Sequence, residues 1–336
     1  MTDMRAEARQ AFLAAGNWHR AQATPLSGDA SFRRYFRLNG GPAPALLMDA
    51  PPPLEDVTPF VQIAEHLRRL GFSAPVIHDQ DMNQGFLIIE DFGEATYTRR
   101  LAAGADEKAL YALATDTLIA LHQHPDATAI DLPTYDAVML EDESDLLVDW
   151  FLPTVTGVST SLETTNEYRA IWRALYPLAD HQPTTLVLRD YHVDNLMELS
   201  SREGIRACGL LDFQDALIGS PAYDMVSLIA DARRDVSPNI RATMVDAYCA
   251  AFPDLDRIAF EAAAAMLSAQ RHCKIIGIFT RLMVRDSKPV YLKHIPRVWQ
   301  LLEADLEHPA LSSMKQWINA VIPTRYRRSP DSTGVA

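Results

Sequence analysis

The sequence predicts an α+β chain of two lobes, a small β-rich front and a larger helical remainder. Three observations carry this. The chain has 336 residues, more than one compact core usually supports. Its front alternates short apolar runs with turn residues: FRRYFRL (32–38), ALLMDA (45–50) and FLIIEDF (86–92), the pattern of strands. From residue 96 onward the apolar positions recur at helical spacing instead.

One helix interrupts the front strands. In residues 57–71, Phe60, Ile63, Ala64 and Leu67 form an apolar stripe, and Gly71 stands where the helix stops. Further helices are expected over 107–124, 141–150, 164–180, 222–233, 240–251, 256–283 and 295–304. Two strand-like pieces break this helical part, TLVLRD (185–190) and ACGLLDF (207–213), with NLMEL (195–199) as a hairpin partner. The Pro-rich segment 50–56 reads as a connecting loop. The expected boundaries are an N-lobe of 1–93, a C-lobe of 94–325, and a polar tail, 326–336, that frays.

Composition narrows the classes of function. With 48% hydrophobic and 22% charged residues the chain has enough apolar mass for a core, which excludes wholesale disorder. Its formal net charge of −13 argues against nucleic acid or an anionic membrane as main partner. Three cysteines, with no CxxC or Cys/His cluster, indicate neither a disulfide framework nor a structural zinc site. Residues 1–16 lack the apolar region of an export signal, and no membrane-length apolar run follows, so a cytoplasmic protein is expected. The sequence is silent on oligomeric state.

The informative segment is LVLRDYHVDNLM (186–197), where Asp190 precedes Asn195 by five positions, followed by Asp212 in LLDFQD (210–215). Phosphoryl transfer needs a carboxylate to orient and deprotonate a hydroxyl, and hard oxygen ligands to hold Mg²⁺ on ATP phosphates. Asp190 is the candidate base; Asn195 and Asp212 are the candidate metal ligands. The protein-kinase catalytic loop keeps the same Asp-to-Asn spacing. Each residue alone is an ordinary turn former; their combination with a β-rich front is what points to chemistry. Ser27, Gly28 and Ser31, in LSGDASFRRYFRL (26–38), form a small-residue turn whose backbone N–H groups suit a phosphate. No GxxxxGK[ST] occurs, which removes the P-loop kinases.

On the residues DYHVDN and LLDF, followed by PAYDMVSL (221–228), the chain resembles the aminoglycoside phosphotransferase family of small-molecule kinases, whose bilobal fold is similar to that of protein kinases. The resemblance implies ATP and Mg²⁺ bound between two lobes, with 1–93 binding nucleotide and 94–325 carrying catalysis and the acceptor. The family pattern HxDxHxxN is met by Asp190, His192 and Asn195, while Leu188 replaces its first His. His192 then belongs to the catalytic loop as a residue that orients it, and Asp224 ties the next helix to that loop. A narrower resemblance, carried by SGDASFRRYFR, LLMDAPPP and FLIIEDFG, is to bacterial amino-sugar kinases of cell-wall recycling. It implies transfer to the C1 hydroxyl of N-acetylmuramate or N-acetylglucosamine, giving the α-1-phosphate. Two other readings stay open: a kinase of the same fold acting on another hydroxyl acceptor, and a nucleotide-binding pseudokinase.

The sequence departs from the family at one further place. Met48 stands near the position of the phosphate-binding Lys, and Val61 and Ile63 stand where its Glu partner is expected. Arg33 or Arg34 is expected to supply the missing charge. Backbone groups of Ile89 and Asp91 are expected to meet adenine. For the acceptor, the candidates are Arg271, His272, Lys274 and Arg281 as cations toward a carboxylate, with Glu141, Asp142 and Glu143 toward hydroxyls.

Overall fold

The structure, a computed structural model, describes residues 5–26, 32–180 and 183–330. Helix α1 (Ala6–Ala15) precedes a five-stranded antiparallel sheet built from β1 (Gln22–Pro25), β2 (Arg34–Asn39), β3 (Ala45–Asp49), β4 (Ile77–Asp81) and β5 (Phe86–Glu90), in the order β1-β2-β3-β5-β4. Helix α2 (Thr58–Arg69) lies between β3 and β4 in the chain. The apolar runs ALLMD and FLIIE take the interior of the sheet because they are buried on both faces, where a near-continuous apolar sequence is needed. Leu13 and Trp18 close one face over Phe36, Leu38, Leu47 and Ile88. Strands β1 and β4 escape sequence reading because both are polar edge strands with little apolar signal.

Asp49, with no solvent exposure, receives Arg5 (2.7 Å), Arg9 (2.8 Å) and Arg34 (2.6 Å), which pins α1 to the sheet. Helices α3 (Tyr97–Ala102) and α4 (Glu107–Gln123) follow, the latter capped by Asp106.

Helix α5 (Ala137–Ser144) starts earlier than expected, because Asp136 caps it through Met139 N–H at 3.0 Å. A π-helical turn (Leu147–Phe151) leads into α6 (Leu152–Thr156). The helix expected over 164–180 is α7 (Leu162–Leu175), capped by Ser161, and then a single turn, α8 (Pro177–Asp180), restarted by its proline. After β6 (Thr185–Val187) come the hairpin β7 (Leu196–Glu198) and β8 (Cys208–Leu210), then β9 (Leu217–Gly219), which pairs back with β6. The chain ends in α9 (Ala222–Ile229), α10 (Pro238–Ala251), α11 (Arg257–Val284), α12 (Ile295–Asp305) and α13 (Ser312–Val321).

The 28-residue α11 packs against α5, α8, α9, α12 and the π-helical turn. Gly277 permits that last approach: a Cβ there would fall 2.3 Å from the Leu146 backbone.

Two compact units divide the chain: Met1–Asp126 with Val193–Ala216, and Ala127–His192 with Leu217–Ala336. The first holds the sheet and takes in residues 94–126 and the β7–β8 hairpin as well. Arg327, placed at the start of a fraying tail by the sequence, is instead held by Glu303 (2.7 Å) and the Ile322 carbonyl (2.8 Å). The tail from 331 onward lies outside the described residues. Among the described residues no helix is long and apolar enough to cross a membrane.

Candidate active site

The predicted site residues fall into both units. Asp190 and His192 belong to the helical unit, Asn195 and Asp212 to the unit that holds the sheet. The loop 186–197 therefore changes unit between His192 and Val193.

In the helical unit, Asp190 follows β6 on a loop braced by α9. Fully buried Asp224 accepts the N–H groups of Leu188 (2.6 Å) and Arg189 (2.8 Å), and Ser227 Oγ donates to the Arg189 carbonyl (3.1 Å). These bonds hold Arg189 at φ 67°, left-handed geometry that a non-glycine residue adopts only when its surroundings compel it. Burial pushes the Asp224 carboxyl up to about 7, against the lowering effect of those two N–H donors. Asp224 thus ties helix to loop.

The Asp190 side chain is 42% exposed although protein atoms surround it closely. That surrounding would raise its pKa, but the positive charges of Lys274, Arg271 and Arg189 outweigh it and hold the carboxyl below the usual aspartate range. Lys274 Nζ lies 2.8 Å from Glu143. Glu143 also accepts from Arg189, Tyr135 Oη and, at 3.3 Å, Gln270 Nε2. Burial would raise the Glu143 pKa as well, yet Lys274 and Arg189 bring it below the ordinary value. Glu143 is therefore an ionised anchor for the cations around Asp190. His272 pairs with Asp305 at 2.6 Å.

His192 is 5% exposed. Burial and the nearby Arg233 charge push its pKa below the ordinary imidazole value, so it is neutral near pH 7 and accepts through Nε2 from Arg233 Nη1 at 3.4 Å.

In the other unit, residues of β5, β2 and the hairpin surround a cleft of about 670 Å³. The β7–β8 register brings Leu196 opposite Leu210, and Leu211 N–H donates to the Asn195 carbonyl at 3.0 Å. Pairing at this end of the hairpin therefore places Asn195 beside Asp212, and Asn195 Nδ2 donates to Asp212 Oδ2 at 3.3 Å. Asp212, at φ 56°, also accepts from Gln214 Nε2 at 2.9 Å. A carboxylate and an amide oxygen are the hard donors that Mg²⁺ uses when substrate phosphates and water complete its shell. The residues fit that ion.

The two candidate arginines separate. Arg34 turns to Asp49 and is structural. Arg33 lines the cleft, with Nε 3.0 Å from Glu55 Oε2 and Nη1 3.9 Å from Asp212. Met48, Val61 and Ile63 are all buried and apolar, so the usual Lys–Glu pair has no counterpart at those positions. Sequence reading missed Glu55, taking its segment for a plain connection. The signal it could have used was the need of a half-buried arginine for a carboxylate.

The adenine assignment changes. Asp91 N–H donates to the Pro44 carbonyl (3.2 Å), and the alternation of the antiparallel ladder turns the backbone of Ile89 toward β3 in the same way. The backbone groups that face away from β3 here are those of Glu90 and Phe92. Val76 N–H turns to the Glu90 side chain (3.3 Å) rather than its carbonyl, and Phe92 N–H makes no hydrogen bond among the described residues. Both residues line the cleft. Ser27, Gly28 and Ser31 lie outside the described residues.

A sequence model of the phosphotransferase enzyme family matches residues 22–260. The chain belongs to that family. It is 36% identical to an N-acetylmuramate/N-acetylglucosamine kinase of Caulobacter vibrioides, over 98% of this chain and 99% of the relative. A kinase of the same name from Pseudomonas aeruginosa is 40% identical, over 88% and 87% of the two chains. Among solved structures, the gentamicin complex of APH(2'')-IIa matches with a TM-score of 0.62 at 16% identity, over 90% of this chain and 99% of the other. That likeness shows the fold, which is the bilobal α+β fold expected from the sequence.

Proposed function

We propose that this protein is an ATP-dependent amino-sugar kinase that phosphorylates the anomeric C1 hydroxyl of N-acetylmuramate and N-acetylglucosamine to the α-1-phosphate. The observation that carries the reading is similarity over nearly the full length to kinases of that name. The surroundings of Asp190 support it. A carboxylate held ionised accepts a hydrogen bond from the acceptor hydroxyl and aims its oxygen at phosphorus; in a loose transition state the proton leaves late, so alignment matters more than basicity.

Adenine would take the Glu90 carbonyl and Phe92 N–H, and Arg33 would meet the phosphates, held in place by Glu55. Asn195 and Asp212 would hold Mg²⁺, which when bound neutralises phosphate charge. Most of the rate would come from positioning and from charges fixed in advance.

The test is ADP release measured over a panel containing both amino sugars, an aminoglycoside, choline and homoserine. The reading expects turnover with the amino sugars and a product phosphate released by mild acid, as a glycosyl phosphate is. Turnover confined to another acceptor, or an acid-stable phosphate ester, would refute it.

A further inference from the structure

We propose that Arg271 reads a carboxylate on the acceptor sugar and so separates N-acetylmuramate from N-acetylglucosamine; the inference rests on the amino-sugar reading above. Arg271 stands on α11 with its side chain 6% exposed. Its guanidinium makes no hydrogen bond among the described residues, and the nearest acid oxygen, Asp190 Oδ1, is 3.9 Å away, beyond hydrogen-bond reach. A guanidinium carries five donors in a rigid fork, and at 6% exposure water can meet few of them. Neighbouring polar side chains of α11 have direct partners: Lys274 has Glu143 and His272 has Asp305. The fork of Arg271 is left for a group that arrives with the substrate.

Charge states what kind of group. Around Asp190 stand three cations, Arg189, Arg271 and Lys274, against two ionised carboxylates, Asp190 and Glu143, and a third, Asp224, that burial keeps partly protonated. A positive excess remains, in a chain whose formal net charge is −13. A neutral sugar leaves that excess uncompensated; an anionic one cancels it. Arginine's planar fork matches a carboxylate through two parallel hydrogen bonds. The two sugars in the relatives' name differ at one substituent: N-acetylmuramate carries a lactyl ether with a carboxylate where N-acetylglucosamine has a hydroxyl. Asp190 addresses the hydroxyl that reacts, and Arg271, beside Asp190, addresses that carboxylate.

The test is steady-state kinetics of Arg271→Gln and Arg271→Lys with each sugar at saturating MgATP. The ratio of the two kcat/KM values is taken within each variant, so that partly unfolded enzyme cancels. In Arg271→Gln the ratio should move about 100-fold against N-acetylmuramate, mainly through its KM, the loss expected of a two-pronged charged contact. Arg271→Lys should recover part of it, since charge remains and the fork does not. An equal fall for both sugars would overturn the proposal and assign Arg271 to the transferring phosphoryl group, and an unmoved ratio at wild-type rates would overturn it outright. A wild-type enzyme that turns over neither sugar would instead strike the amino-sugar reading beneath it.

Discussion

Removing the guanidinium of Arg33 tests how this protein manages ATP without the customary lysine. At 3.0 Å, and with an effective dielectric of about 20, the attraction between Arg33 and Glu55 is about 5.5 kcal/mol before desolvation. Both side chains are 14% exposed, so desolvation cancels a large part, and about 1–2 kcal/mol of net coupling remains. Arg33→Met keeps the length of the stem and deletes the charge. Losing one charged hydrogen bond to phosphate costs about 1.5–3 kcal/mol, or about 10- to 150-fold in kcat/KM for ATP.

Glu55→Gln keeps an acceptor but loosens the arginine, and its smaller effect should vanish once residue 33 is Met. Four enzymes, the wild type, the two single variants and the double variant, form a cycle that isolates the coupling when ATP is varied at saturating sugar. Arg34→Met is the control: its partner is Asp49, so it should lower thermal stability and leave the ATP parameters in place. Unchanged ATP parameters in Arg33→Met, or strict additivity with Glu55→Gln, would refute the reasoning.

Two further outcomes follow from the geometry. Asp190→Asn should keep the wild-type circular dichroism spectrum and lose at least about 100-fold in kcat, the usual contribution of a positioned base; near-normal turnover would remove Asp190 from the chemistry. Asp224, with its carboxyl raised to about 7, keeps a proton in the native state that the unfolded chain has already released, over about pH 4 to 7. Stability should therefore fall as pH rises through that window, by up to about 4 kcal/mol from this group, and level off above it. Urea unfolding at pH 5 and pH 8 should show a smaller difference for Asp224→Asn than for wild type, and equal differences would contradict the assignment.

Much of the site is written locally. The spacing of Asp190 and Asn195 on one loop, and Asp212 at the end of a strand, are visible in a single stretch, because a hairpin of short strands brings its two ends together whatever surrounds it. The central strands β3 and β5 were equally legible from their unbroken apolar runs. Strands β1 and β4 were not: an edge strand needs a neighbour on one side only, and its residues look like loop. Arg33 and Arg34 are adjacent and chemically identical, yet one meets Asp49 and the other Glu55. Adjacent residues of an extended chain point to opposite sides, and only the sheet decides which side is the cleft.

The order of residues alone thus pointed to the class of reaction and to the candidate residues for it, since both depend on covalent spacing and backbone period. Pairing across long stretches of chain was settled by tertiary structure. Glu55 reached Arg33 from 22 positions away, and Asp224 reached the catalytic loop from 35 and 36. Arg271 was left without a hydrogen-bond partner among the described residues because α11 packs as it does. Which charges are neutralised inside a protein, and which wait for a ligand, depends on burial and distance, and neither is a property of a residue's neighbours in sequence.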